Sequence, residues 1–474
     1  MLFRSIVLLC VCVCSIAIGV YSAKTASLNV SGTIGFTAHN CKVNISAYMY
    51  GYSLTPDGEP VAKPTQDSEK QYLIYGSSKT KATESAPLLV DGGTESLSFN
   101  INTGSYSGVY FSDMGESGEV EPIKIVLTLT NISSYTIYFE DTTTSPTNCT
   151  AICDNPLNVL YTDTSKNSIT LTYTVTLNAN SNGTYSNLST PVNLTLGMNF
   201  SKLDTNISST GFTLSGTTIT DVPAQSTSDL LVIPSKFSDK SGETYTTLGY
   251  DIISNLQGYS KVIILDGITT IGGYVFSNCV KLKAVCIPNS VTSLKFLSFA
   301  SCDSLTSVKL PDGIREFNSA FSGCNSLVSI NIPYGVGSLG EEAFSGCTSL
   351  TQLIIPDTVT DIENNVFRDC TNLTSITIPS RVKTIQYGAF ENCKKLTSIT
   401  IPASVTYIWC SAFPGCTNLT SITFENPDNW QYSTKYSGPY NDFTSDMSFT
   451  DPAVNATKLK GDWVDYYFQQ KGTN

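Results

Sequence analysis

Residues 356–378 read PDTVTDIENNVFRDCTNLTSITI, and residues 379–401 read PSRVKTIQYGAFENCKKLTSITI. The second line repeats the first in register. Outward from these two copies, phenylalanine recurs at Phe276, Phe299, Phe321, Phe344, Phe367, Phe390 and Phe413. Cysteine stands three residues behind each, from Cys279 through Cys302, Cys324, Cys347, Cys370 and Cys393 to Cys416. Leucine stands three behind that, with Leu350, Leu373 and Leu396 in the central copies. Proline marks the boundaries at Pro288, Pro311, Pro333, Pro356, Pro379 and Pro402. Every step is 23 residues except one of 22, where a residue is missing between Pro311 and Phe321. Residue types held in register at such a period define a solenoid of stacked turns.

One turn can be read physically. From Pro356 the apolar positions are Val359, Ile362, Phe367, Cys370, Leu373, Ile376 and Ile378. The run Leu373-x-x-Ile376-x-Ile378 has the L-x-x-L-x-L form of a leucine-rich strand. Alternation points Ile376 and Ile378 inward, and Ser375 and Thr377 outward. Proline then ends the strand, because it has no N–H for the ladder. A single turn has too little apolar surface to fold alone, whereas stacked turns bury a continuous core and build a parallel sheet. Upstream, Leu230-Leu231-Val232-Ile233-Pro234 is a degenerate first strand. Leu248, Ile253 and Leu256 fall 23 residues before Ile271, Phe276 and Cys279, so a first turn is in register with an insertion around Lys236–Tyr245.

The motif I-P-x-x-V-x-x-I-x-x-x-A-F-x-x-C-x-x-L-T-S-I resembles the BspA-like (Treponema pallidum-type) leucine-rich repeats. Ile378-Pro379, Val382, Ile385, Ala389-Phe390, Cys393 and Leu396-Thr397-Ser398-Ile399 carry it in one copy. The resemblance covers residues 229–424. It implies a secreted or surface protein of a bacterium or protist, engaged in adhesion rather than catalysis.

The rest of the chain is organised around that array. Residues 1–22 read as a signal peptide: Arg4, then an apolar run from Ile6 to Val20, with cleavage expected after Ser22. That run is short for a membrane span, so the mature chain is expected to have no integral span. The C-terminus from Gln469 to Asn474 carries no sorting signal, which points to a soluble or non-covalently attached protein. Residues 23–205 carry short strand-like runs at Ser27–Phe36, Lys42–Tyr50, Ser96–Ile101, Ile123–Leu129, Thr136–Phe139, Ser168–Leu177 and Val192–Met198. Their spacing predicts an antiparallel β-sandwich. The start of this part, Lys24 to Gly32, resembles camelysin/TasA-like secreted fibre proteins. Residues 206–228 read as a linker. Residues 425–474 read as a C-terminal cap, with Trp430, Tyr432, Tyr436, Tyr440, Phe443, Trp463, Tyr466, Tyr467 and Phe468 covering the last turn; an aromatic platform for a glycan is the other reading. The expected architecture is therefore mostly β: a sandwich, then a leucine-rich solenoid of seven or eight turns, then a cap.

Composition limits function. The net charge of −12 disfavours nucleic acid and anionic membrane as partners. His39 is the only histidine, which removes most Ser-His, Cys-His and zinc hydrolase systems. The adjacent Glu341 and Glu342, and the pair Asp357 and Asp361, read as solvated turn residues rather than a glycosidase pair. No cofactor or metal motif is present in the sequence. The seven repeat cysteines are expected to form a reduced, buried ladder. Cys286 and Cys410 are candidates for exposure, and Cys41, Cys149 and Cys153 leave one disulfide open with its pairing unassigned. Twelve N-x-S/T sequons occur, nine of them before residue 210; a eukaryotic secretory pathway would glycosylate them.

Binding, not catalysis, is the expected role, and the outward row of the parallel sheet is the candidate surface. It is lined by Lys309, Asn331, Gln352, Ile354, Ser375, Thr377, Ser398 and Thr400. Lys309, Gln352 and Ile354 break the run of small polar residues and are the expected seat of specificity. The expected partner is an extracellular or host-surface protein or glycan, with self-association possible. Two alternatives are an extracellular matrix or fibre-forming component and a carbohydrate-binding protein.

Overall fold

The computed structural model describes strands Val30–Ile34, Val43–Tyr50, Gln71–Tyr75 and Gly93–Ile101, and residues 123–131, 136–143, 145, 149–177, 192–225, 228–251, 254–315, 317–433, 445–462 and 465–470. The predicted signal peptide, His39, Cys41 and several cap aromatics (Tyr436, Tyr440, Phe443, Trp463) lie outside these residues. The chain divides after Asp204 into two compact units.

The described residues of the first unit form ten strands: β1 (Val30–Ile34), β2 (Val43–Tyr50), β3 (Gln71–Tyr75), β4 (Gly93–Ile101), β5 (Ile123–Asn131), β6 (Ile137–Asp141), β7 (Cys149–Cys153), β8 (Leu157–Leu160), β9 (Ser168–Leu177) and β10 (Val192–Lys202). They form two five-stranded antiparallel sheets, ordered β1-β4-β10-β6-β8 and β3-β2-β5-β9-β7. The alternation of β9 sets its faces: Leu171, Tyr173 and Val175 are buried, while Thr172 and Thr174 between them are half-buried. Hydrogen bonds join the two sheets, from the Tyr173 hydroxyl to Asp141 Oδ1 at 2.9 Å and from Asn131 Nδ2 to the Leu160 carbonyl at 2.9 Å. Burial raises the Asp141 carboxyl pKa against the hydrogen bonds from Thr143 and Tyr173. Strands β3, β7 and β8 are additions to the seven runs legible in the sequence. Strand β7 also excludes one cysteine pairing. Cys149 and Cys153 are unbridged and sit four residues apart on one extended strand. That spacing is roughly 13 Å, beyond disulfide reach.

The second unit is the solenoid. Nine front strands bound eight turns: Leu230–Ile233, Lys261–Ile264, Ala284–Cys286, Ser307–Lys309, Ser329–Asn331, Gln352–Leu353, Ser375–Ile376, Ser398–Ile401 and Ser421–Phe424. Pairing is parallel and one repeat out, as in Gln352 beside Ser375 and Ser398 beside Ser421. A lateral row of two-residue strands runs along a second side, with Leu248 beside Ile271 and Ile362 beside Ile385. All seven apolar positions of the turn from Pro356 are buried, Val359 through Leu373 at 0%, Ile378 at 5% and Ile376 at 9%. The register of Leu248 places the first-turn insertion before Thr247. The segment 206–228 does more than link. Its strands β11 (Thr213–Ser215) and β12 (Thr218–Asp221) extend the lateral row, and Ile219 and Val222 are buried in the core.

Inside, the seven phenylalanines stack along the axis. Neighbouring ring centroids are 4.7–6.1 Å apart with planes within 18° of parallel. Where the short repeat loses a residue, Phe317 takes the position other turns give to Ile or Leu. Its ring meets Phe321 at 6.0 Å and Phe344 at 5.7 Å edge-on, and so fills the space. The cysteines explain themselves by their partners. Cys347 Sγ donates to the Phe321 carbonyl at 3.2 Å, Cys370 to Phe344 at 3.2 Å and Cys393 to Phe367 at 3.2 Å. Each of these carbonyls also accepts the backbone N–H of the cysteine in its own turn, as Phe344 does from Cys347 at 3.1 Å. Alanine would fit but leave a lone pair unused; leucine would not fit so close to backbone.

Burial raises the thiol pKa along the ladder, at Cys302, Cys347, Cys370 and Cys393, and to about 12 at Cys279. The folded state therefore holds these protons after an unfolded thiol, near 9, has released them. The stabilisation is complete below about pH 9 and falls as pH climbs towards 12. We expect the solenoid to lose stability steadily over that range, with labelling of the ladder thiols appearing only as it unfolds. Rapid native-state labelling of Cys347 or Cys370 at pH 8 would contradict this.

Both ends of the stack are closed. At the start, Tyr259 Oη donates to the Pro223 carbonyl at 2.9 Å and Asn255 Nδ2 to Val222 at 2.8 Å. At the finish, helix α1 (Pro452–Thr457) lies beside the last front strand, with Asp451 as its N-cap. Buried Asn455 Nδ2 donates to the free carbonyl of Ile422 at 2.9 Å, and Lys460 Nζ to Leu419 at 2.7 Å. An edge that would template pairing with another chain is thereby covered. Trp430, Phe449 and Phe468 are about 1% exposed and complete the apolar seal.

Candidate functional site

The predicted surface is assembled by the fold. Asn331, Gln352, Ile354, Ser375, Thr377, Ser398 and Thr400 are all exposed on the outward side of the front strands, and Lys309 is half-buried beside Asn331. Parallel pairing one repeat apart makes these residues neighbours roughly 4.8 Å apart. Two of the departures from the small-polar pattern stand out. Ile354 is 70% exposed, and Tyr334, which sequence reasoning passed over, is 75% exposed on the preceding turn. Tyr334 follows the strand-ending Pro333, where neighbouring turns carry Asp312 and Asp357. An aromatic in a position that other turns give to Asn289, Asp312, Asp357, Ser380 or Ala403 was the available signal.

The other candidates separate. Cys286 is buried. Glu342 sits at φ +54° in the turn after the lateral row, one of a periodic set with Leu297, Ser319, Asn365, Gly388 and Ser411. Asp357 is an exposed turn residue, and Asp361 belongs to a lateral strand, where it accepts from Thr360 Oγ1 at 2.8 Å. Among the cap aromatics, Trp430 and Phe468 are buried, and Tyr432 and Tyr466 pack partly buried against the core. These four seal the stack, while Tyr467 lies at the surface feature described next.

A second surface feature lies on the lateral side. The residues after each two-residue lateral strand stand at a corner, before the left-handed residue turns the chain. Successive turns place Glu341, then Asn364 and Asn365, then Tyr387, then Trp409 and Cys410 at this corner. The C-terminal strand Tyr467–Gln470 pairs antiparallel with Tyr407–Ile408, Ile408 opposite Phe468, which sets Tyr467 beside Trp409. Their ring centroids are 6.0 Å apart at 63°. Together these residues line a cleft of about 360 Å³. Burial, with the Asp465 charge a smaller contributor, raises the Cys410 pKa.

The stacked turns, parallel front strands, phenylalanine spine and sealed ends define a leucine-rich repeat solenoid. Residues 240–351 and 337–437 match the family model of the BspA type leucine rich repeat region, in six copies, and this part of the chain is a repeat region of that type. Solved structures with similar folds include a leucine-rich repeat protein from Eubacterium ventriosum (25% identity, TM-score 0.32), covering 40% of this chain and 59% of that one. The chain thus spans less than two thirds of that relative. The T. pallidum leucine-rich repeat protein shows 24% identity over 44% of this chain and 86% of its own, with TM-score 0.31. A leucine rich cell surface protein from Faecalibacterium prausnitzii shows 21% identity over 45% and 92%, with TM-score 0.23. No curated protein matches the chain.

Proposed function

We propose that this is a secreted or cell-surface recognition protein that binds an extracellular or host-surface protein through the front face of its solenoid. The exposure of Tyr334 and Ile354 on adjacent turns carries the reading. On and beside a sheet face otherwise lined by hydroxyl, amide and lysine side chains, two large apolar side chains held in water form a patch for a partner to cover. Asn331 and Gln352 beside them supply amide donors and acceptors, and the surrounding hydroxyls form the polar rim that surrounds a binding centre. The signal-like N-terminus and the repeat type support an extracellular location. Among the described residues no helix is long and apolar enough to cross a membrane.

The test is a screen of the chain against extracellular-matrix proteins and host-cell surfaces, followed by front-face variants. Gln352→Ala with Ile354→Ala is expected to weaken a captured partner by about 2 kcal/mol, or roughly 30-fold, with Tyr334→Ala acting in the same direction. Ser398→Ala should change affinity by less than about threefold. Binding that ignores all three substitutions would place recognition elsewhere on the chain, and concentration-dependent fibres would favour the matrix reading.

A further inference from the structure

We propose that the lateral cleft is a separate binding site, and that it takes an uncharged oligosaccharide. One end is aromatic: Tyr387, 43% exposed, with Trp409 and Tyr467. The corners of the two preceding turns are polar: Glu341, Asn364 and Asn365. The amide oxygens Asn364 Oδ1 and Asn365 Oδ1 are shielded from solvent and accept no hydrogen bond. The Asn365 oxygen packs against Gly388. Asn364 is half-buried at the cleft, and turning its amide towards a ligand donor breaks no hydrogen bond of that oxygen.

The lining selects the ligand class. A pyranose has an apolar C–H face that lies on an aromatic ring and hydroxyl groups around its rim that donate to amide and carboxylate oxygens. Phosphate and other anions are disfavoured, because no lysine or arginine lines the cleft and Glu341 does. A quaternary ammonium ion would suit the rings and the carboxylate. It has no N–H or O–H, however, and would leave the Asn364 oxygen as it is. The cleft spans corners of four successive turns and the C-terminal strand, roughly 14 Å at one strand spacing per turn. That length suits a chain of sugars better than one. At about 360 Å³ the cleft is also within the range of small-ligand sites.

The site differs from the front face in position and in chemistry, so the two can fail independently. The probes are neutral oligosaccharides on an array, in two arms: fragments of microbial and plant polysaccharides, and glycans released from glycoproteins. The array hit is then titrated calorimetrically into the full chain. Binding in either arm supports the proposal and names the source of the sugar. Tyr387→Ala removes an exposed ring without touching the core, and is expected to weaken binding tenfold or more, as is Trp409→Ala. Ile354→Ala on the front face should leave it unchanged. Cys410 gives a second readout: its alkylation by iodoacetamide, followed by peptide mapping, should slow when the sugar is bound. The proposal is overturned if no neutral oligosaccharide binds, if binding survives Tyr387→Ala undiminished, or if tetramethylammonium alone or inorganic phosphate alone protects Cys410 instead.

Discussion

Replacing Phe344 with alanine is expected to lower the stability of the solenoid by about 3–5 kcal/mol. Phe344 is fully buried at the middle of the spine, stacked at 6.1 Å on Phe321 and 6.0 Å on Phe367, with Phe317 edge-on at 5.7 Å. Removing the ring strips contacts from both neighbouring turns at once. The backbone cannot collapse into the space, because the Phe344 carbonyl is held from two sides. Cys347 N–H donates to it at 3.1 Å within the turn, and Cys370 Sγ at 3.2 Å from the next. In a stacked array each turn is stabilised mainly by its neighbours. The loss should therefore concentrate in the turns around residues 321–367, and leave the sheets of the first unit unchanged. Urea unfolding with hydrogen exchange by mass spectrometry reads both quantities. Tyr334→Ala, on the exposed face, is the control and should stay within about 0.5 kcal/mol. A loss below 1 kcal/mol at Phe344 would mean the spine is not what holds the turns together.

The second large effect is expected from Gly272→Ala. A Cβ built at Gly272 would lie 1.7 Å from the Gly249 carbonyl oxygen and 2.7 Å from that of Leu248. Both are backbone atoms, so no side chain can swing aside. Gly272 N–H already donates to Leu248 at 3.0 Å, and Asp251 N–H to the Gly273 carbonyl at 2.9 Å. The first two turns are pinned together where the methyl would go. Overpacking ordinarily costs about 1–3 kcal/mol; a backbone overlap this deep should cost about 3 kcal/mol or more and loosen the N-terminal end of the stack. Gly337→Ala is the matched comparison, with nothing within 4 Å of its Cβ and no positive φ. It should be neutral, or raise stability by about 0.4–1 kcal/mol through the unfolded chain. Equal melting temperatures for the two variants would refute the close approach.

Neither position could be ranked this way from the sequence. The phenylalanine column shows that Phe344 is inside, but not that its carbonyl is doubly held. Gly272 gives less still: Gly249 and Gly340 share its register, but other turns carry Lys295, Asn318, Glu363, Gln386 and Trp409 there. Nothing local forbids a side chain there. The prohibition comes from the preceding turn, whose Leu248 and Gly249 carbonyl oxygens stand where the Cβ would go.

The candidate surfaces divide in the same way. The front row from Lys309 to Thr400 was legible because alternation in a strand is local, and a fixed period makes equivalent positions neighbours. Tyr334 was missed, since it lies just past the strand, where alternation no longer applies. The lateral cleft was hidden for a stronger reason. Tyr387 and Trp409 occupy successive repeats, but Tyr467 reaches Trp409 only because the chain reverses after the last turn and lays its final strand antiparallel on the lateral row.

The sequence by itself determined the period, the inward set of seven positions, the reduced cysteine column and the polar sheet face. All of these follow from the residue pattern within one turn and its repetition. Only the tertiary structure decided how the ends are sealed, which glycine admits no side chain, why the column is cysteine and which aromatics meet. Those depend on atoms of one turn meeting atoms of another at van der Waals and hydrogen-bond distance, and no spacing in a single chain of letters encodes where a backbone carbonyl will point.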